Sequence, residues 1–127
     1  MYRLLFDLVL RRIDPEKAHH LGMAVIRLAA VPPFSAVARA LTRPDPSLRT
    51  ESLGLVFDSP FGIAAGFDKN AVGASGLHAL GFGHIEVGTV TAIPQDGNPR
   101  PRLFRLPADR ALINRMGFNN EGAAVVA

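Results

Sequence analysis

Phe61-Gly62-Ile63-Ala64-Ala65-Gly66-Phe67-Asp68-Lys69 is the stretch that decides the fold. It opens as a nearly continuous apolar run, the pattern of a short strand buried on both faces, as strands of parallel sheets are. Small residues and then a charged pair follow at its C-terminal end, which in α/β folds is the ligand-binding edge. Outward from there, Gly73–Leu80 has helical spacing, with Leu77 and Leu80 facing the sheet and Gly81 as the stop. His84–Val90 is a second buried strand. Strand, helix and strand within about thirty residues predict a βαβ unit with a right-handed crossover. Leu53–Phe57 is a short strand before the unit; Arg102–Leu106 and Ala111–Asn114 flank Pro107-Ala108-Asp109-Arg110 as a hairpin; Glu121–Ala127 begins a helix. One βαβ unit cannot close a core, and a (β/α)₈ TIM barrel needs roughly 250 residues. The expectation is the N-terminal portion of such an α/β barrel, part of a longer chain.

Residues 1–44 differ in kind and read as helices, joined to the barrel part, 45–127, by the proline-bearing turn Thr42-Arg43-Pro44-Asp45-Pro46-Ser47. The first helix spans Tyr2–Arg12, with Leu4, Leu5, Leu8 and Val9 on one face. Asp14-Pro15-Glu16 is a start signal, Asp as N-cap and Pro at the first helical position. The second helix runs to about Ala30 with the stripe Ala18, Leu21, Val25, Leu28 and Ala29, and Ser35–Leu41 forms a third. Such stripes fit either a packing face or an amphipathic patch lying on an anionic bilayer.

Charge is unevenly placed. Residues 1–50 carry eight basic groups against four acidic ones, whereas 51–127 carry six against seven, so the net +3 arises in the helical segment. The chain has no cysteine, which excludes disulfides and thiol chemistry. No window reaches the ~18 apolar residues of a membrane-spanning helix, and Leu4–Leu10, followed by Arg11-Arg12, does not look like a secretory signal. Gly81-Phe82-Gly83 lacks the third glycine of a dinucleotide fingerprint, and no Walker loop is present. His19, His20, His78 and His84 lack metal-ligand spacing, so no metal is expected. The basic excess lacks interleaved aromatics, so no nucleic acid is expected.

Two stretches carry candidate chemistry. Past the first buried strand, small residues let a flat ligand approach the backbone, and Lys69 offers a fixed positive charge; a solvated surface lysine is the other reading. Thr89 and Thr91 end the next strand on the same edge, as ligand donors or as strand-end partners. Asn114-Arg115-Met116-Gly117-Phe118-Asn119-Asn120 combines amides, a cation, a glycine and an aromatic within seven residues. Amides can pair with a heterocyclic imide, or they can simply cap the last helix.

Taken in order, Asp14–His19, Gly62–Lys69, Gly81-Phe82-Gly83, Glu86–Thr91, Gly97–Arg105 and Asn114–Asn120 resemble class 2, quinone-dependent dihydroorotate dehydrogenases over nearly the whole chain. The resemblance implies an FMN-binding (β/α)₈ barrel preceded by a small helical membrane-associating extension, here 1–44, and makes the membrane reading of the helices the preferred one. The implied activity is oxidation of dihydroorotate to orotate in pyrimidine biosynthesis, with a membrane quinone as acceptor. The implied location is the cytoplasmic membrane, peripherally and on its cytoplasmic side, against surface lipids. By resemblance Ala65, Gly66, Phe67, Asp68, Lys69 and Thr89 bind the cofactor FMN. Lys69, Asn114, Arg115, Met116, Gly117 and Phe118 bind the substrate, and His19 and Arg105 border the quinone. The catalytic base, a serine in the family, is expected beyond Ala127, so this segment alone is expected to be inactive. The rival expectations are an FMN-barrel oxidoreductase with a soluble acceptor and a non-catalytic membrane-binding module.

Overall fold

A computed structural model describes residues 2–127. Helix α1 spans Tyr2–Leu8 and continues into a 3₁₀ turn at Leu10–Arg12; α2 spans Pro15–Leu28 and α3 Phe34–Thr42. The start of α2 forms as its residues dictate. The Asp14 carboxylate accepts from the backbone N–H groups of Glu16 and Lys17, both at 3.0 Å, satisfying donors that a helix start leaves orphaned.

The expected strand at Leu53–Phe57 is instead half of a hairpin. Strands β1 (Thr50–Ser52) and β2 (Leu55–Phe57) pair antiparallel around Leu53-Gly54. Both turn residues have positive φ, 54° and 74°, as a two-residue turn matched to strand twist requires. A leucine is a poor match for that conformation, so the turn was hidden in the sequence.

The βαβ unit is present but shorter in its strands. Strand β3 (Gly62–Ile63) pairs parallel with β4 (His84–Ile85), with α4 (Ala74–Ala79) between them. The ladder extends by one bond at each end, from Gly83 N–H to the Phe61 carbonyl and from Glu86 N–H to that of Ile63. Burial on both faces is not observed: Gly62, Ile63, His84 and Ile85 are half-buried, and Phe61, Ala64 and Ala65 are exposed. Among the described residues no third strand joins this pair, so only the α4 side is covered. The second hairpin forms as expected. Strands β5 (Leu103–Leu106) and β6 (Ala111–Asn114) pair with Leu103 opposite Asn114, and α5 (Ala123–Val126) follows.

The apolar core is small: Met23 of α2 with Leu77 and Ala79 of α4. This corrects the expected packing stripe of α2. Leu21, Val25 and Leu28 are 55%, 63% and 47% exposed, and the helix packs instead through Met23 and Ile26. Close approach explains the choice, because α4 presents Gly73 to the Met23 methyl and Gly76 to the Ile26 carbonyl, leaving no space for larger residues. Helix α3 is tied to α4 by the Thr42 hydroxyl, which donates to the Ala79 carbonyl at 3.1 Å.

A Cβ on Gly76 would run into the Ile26 backbone carbonyl, which has no rotamer by which to move aside. In the complete protein Gly76→Ala is expected to lower stability by about 2 kcal/mol, as overpacking does. A denaturant midpoint equal to that of the parent would show that α2 and α4 separate without cost.

Candidate functional site

The largest structural tie between the helices and the rest of the chain is polar. Glu16, in the first turn of α2, is buried, and its carboxylate accepts from Arg102 and Arg100. Arg100 meets it at 3.0 and 2.9 Å, and Arg102 approaches in the same two-pronged way. Arg102 is itself buried and uses its remaining nitrogen on the carbonyls of Asp96 and Asn98. These bonds, Arg102's first and Arg100's second, hold the Glu16 carboxyl at about 2, well below its ordinary value of 4.5. A second tie runs from the Arg105 guanidinium to the Ile13 carbonyl, just before α2.

These ties enclose a cavity of about 560 Å³ between α2, the segment after β3, and the β5–β6 hairpin. Lys69 and Asn114 share it, and His19 and Arg105 line it as well. Gly66, Phe67, Asp68 and Met116 complete the expected residues in its wall. The Lys69 ammonium donates to the Gly117 carbonyl at 3.2 Å and to Asn119 Oδ1 at 2.5 Å. An ammonium has three donors, so one remains for a ligand. Burial first, and the charge of Arg102 second, lower the Lys69 pKa from its ordinary value. Gly88 lies beside the stem of Lys69, where a side chain would crowd it. His19 meets the Phe67 ring edge-on, with centroids 5.2 Å apart. Burial, and secondarily the neighbouring His20, lower its pKa and favour the neutral imidazole.

Other expected residues fall elsewhere. The Asp68 side chain is committed to the chain itself: its carboxylate is buried and accepts from the N–H groups of Val72 and Gly73 at 3.0 and 2.7 Å, shaping the approach to α4. Arg115 turns away from the cavity, donating to the Pro101 carbonyl at 3.0 Å and lying over the Phe104 ring. Phe118 is 62% exposed, and Ala65 and Thr89 are exposed outside the cavity wall. Thr91 lies six residues past the end of β4 and is no strand-end partner; its hydroxyl bonds to the Ile93 carbonyl and to Asn120 Oδ1. Asn120 does not cap α5, whose N-cap is Gly122 with no side-chain cap bond; its Oδ1 instead accepts from Gly122 N–H at 2.9 Å in the turn before the helix.

Three contributors escaped the sequence: Glu16, Arg102 and Asn119. Glu16 reads as an ordinary first-turn acid and Arg102 as one basic residue among several. Asn119 reads in the sequence as a ligand amide or a helix cap, and neither reading points to its contact with Lys69. Among the described residues no group of acidic or histidine side chains is placed to hold a metal, and no helix is long and apolar enough to cross a membrane.

The sequence profile of the family described as "Dihydroorotate dehydrogenase" matches residues 47–127. Two curated relatives carry the name "Dihydroorotate dehydrogenase (quinone)". The one from Leifsonia xyli subsp. xyli is 65% identical over 127 residues, all of this chain and 37% of its own length. The one from Streptomyces griseus subsp. griseus is 60% identical over 129 aligned residues, all of this chain and 35% of its own length. The chain thus spans little more than a third of the relatives it matches. A crystal structure of DHODH from Eimeria tenella in complex with ferulenol superposes with a TM-score of 0.74 at 48% identity, covering 89% of this chain and 28% of that one. The ligand-free structure from the same organism gives 0.75, also at 48% identity, covering 89% of this chain and 30% of that one.

The Glu16 carboxylate has a measurable signature. Its folded pKa is depressed, so its contribution is complete above the ordinary value of 4.5 and is lost as pH falls toward about 2. The complete protein is expected to lose stability across that window, whereas Glu16→Ala removes this part of the acid dependence. At neutral pH the same substitution costs about 3 kcal/mol by stranding a buried guanidinium. Parallel acid-unfolding curves for parent and variant would contradict it.

Proposed function

The chain belongs to the dihydroorotate dehydrogenase family, and from that membership we propose that the complete protein oxidises dihydroorotate to orotate and passes the electrons to a membrane quinone. The observation that carries this is the single cavity whose lining includes Lys69, Asn114, His19 and Arg105.

The residues after β3 fit a flat cofactor. Gly66 has a φ of 96°, and the place where its side chain would stand has no heavy atom within 4 Å. A planar ring can approach the backbone there as it could not beside a larger residue. Ala65, Gly66, Lys69 and Thr89 would hold FMN, with Phe67 and Asp68 shaping the segment. FMN, when bound, supplies the centre that accepts the hydride removed from C6 of dihydroorotate.

The chain's own residues do the rest. Lys69 keeps a positive charge in a partly dry site, where it pairs with the substrate carboxylate and stabilises developing negative charge. Asn114 Oδ1 accepts from Met116 N–H at 2.9 Å, which holds the amide and leaves its NH₂ group to donate to a substrate carbonyl. The loop from Arg115 to Phe118 would close over the substrate, and holding the ring in one orientation lowers the entropic part of the barrier. Also in the lining, His19, whose pKa is lowered, and the Arg105 guanidinium would offer donors to a quinone oxygen. We further infer that β3–α4–β4 is one repeat of a (β/α)₈ barrel.

The helices suit a peripheral membrane location at the cytoplasmic face. Leu4, Leu8, Leu21, Val25 and Leu41 are 65%, 55%, 55%, 63% and 80% exposed, on the segment that holds the basic excess. Apolar side chains flanked by cations are the composition of an interfacial surface.

In the complete protein Lys69→Ala is expected to slow flavin reduction by dihydroorotate by about a hundredfold or more, with little change in thermal midpoint. Equal reduction rates would refute the role of Lys69, and turnover with fumarate or NAD but no quinone would refute the acceptor. Separately, the complete protein is expected to bind anionic vesicles, more weakly as salt rises and in Val25→Glu. Salt-insensitive binding, or none, would remove the electrostatic part.

A further inference from the structure

A path of hydrogen bonds, completed by the covalent chain from Met116 to Asn119, joins α2 to Lys69. It begins at the buried Glu16 carboxylate and passes through Arg102, whose other nitrogen donates to the carbonyls of Asp96 and Asn98. Asn98 carries it onward twice: its backbone N–H donates to the Met116 carbonyl at 2.8 Å and its side-chain amide to the Arg115 carbonyl at 2.7 Å. Arg115 N–H in turn donates to the Arg102 carbonyl at 2.9 Å, closing the loop on itself. Beyond Met116 stand the Gly117 carbonyl and the Asn119 amide oxygen, the two groups that hold the Lys69 ammonium. Gly97, at the turn of this path, has a φ of 75° and leaves no room for a Cβ against Met116, Asn119 and Arg102. Residues 96–98, Arg102 and 115–119 are therefore linked in one polar network whose anchor, Glu16, lies in another part of the chain.

We propose that Glu16 is a positioning residue, which from the first turn of α2 holds the 115–119 loop in register with Lys69 by way of Arg102 and Asn98. The physical reason is specific to charge. A buried guanidinium bonded to a carboxylate has a fixed orientation, and only in that orientation do its remaining N–H groups meet the Asp96 and Asn98 carbonyls. Without the carboxylate Arg102 turns toward other acceptors or solvent, and the Asn98 turn loses its support. Docking of the helices would thus set the geometry of the substrate loop as well as the quinone wall.

The kinetic part rests on the proposed function, and the exchange part does not. In the complete protein with its flavin, Glu16→Gln is expected to speed hydrogen exchange at the Asn98 and Arg115 amides by about tenfold or more, while Leu77 and Leu80 in and beside α4 keep parental rates. Asn98→Ala, which spares the buried ion pair, is expected to do the same at Arg115. In both variants KM for dihydroorotate and the Kd for orotate are expected to rise about tenfold, with kcat changing less than about twofold. Unchanged exchange at Asn98 and Arg115 would overturn the proposal, as would an equal acceleration at Leu77 and Leu80, which marks loosening of the whole fold. A parent protein that does not oxidise dihydroorotate would sink the proposed function instead, leaving exchange to decide the role of Glu16.

Discussion

A carboxylate buried between two guanidiniums sets the relation between the helices and the rest of this chain. Glu16 and Arg102 are both almost wholly withdrawn from water, so neither tolerates loss of its partner. Such a pair contributes less to net stability than to uniqueness. An apolar contact can slide by a fraction of a turn, whereas a two-pronged carboxylate–guanidinium contact has one geometry. Helix α2 is therefore docked in one rotation and at one height. His19, one turn after Glu16, is placed by the same contact.

Within this chain, which spans little more than a third of its relatives' length, the apolar core is slight. Met23, Leu77 and Ala79 are the buried hydrophobic residues among those described. Close backbone approach and polar ties do the remaining positioning. Gly73 and Gly76 let α4 come against α2, and the Thr42 hydroxyl and Arg105 guanidinium each reach a carbonyl on a distant element. Asn120 does comparable work on the other side, gathering N–H groups of Thr91 and Gly122 on one amide oxygen.

What was legible in the sequence was mostly local. Asp14-Pro15 announces a helix start because the cap needs only neighbouring residues, and the parallel unit and the second hairpin follow from periodicity and turn composition. The first hairpin was missed because a leucine occupies its turn, against the preference for glycine or asparagine. The apolar stripe of α2 was visible but its direction was not. Periodicity shows that a helix has two faces, while which face packs is decided by the glycines of α4, some fifty residues away in sequence. Lys69 and Asn114 could be picked out by type and by position after strands. Glu16, Arg102 and Asn119 could not, because their importance comes from partners far along the chain.

Two ionisable groups that line the cavity, Lys69 and His19, respond to the same burial. Burial opposes charge on Lys69 and on His19 alike, yet the outcomes diverge because their ordinary values do. A lysine starts far above neutrality, whereas a histidine starts near it and is pushed toward the uncharged form. His19 also lies edge-on to the Phe67 ring and shares the cavity lining with Met23. Helix α2 contributes Glu16, His19, His20 and Met23 to the lining, beside Lys69. Through Arg102, which also lowers the Lys69 pKa, the contact that docks α2 reaches the electrostatics of that lysine as well.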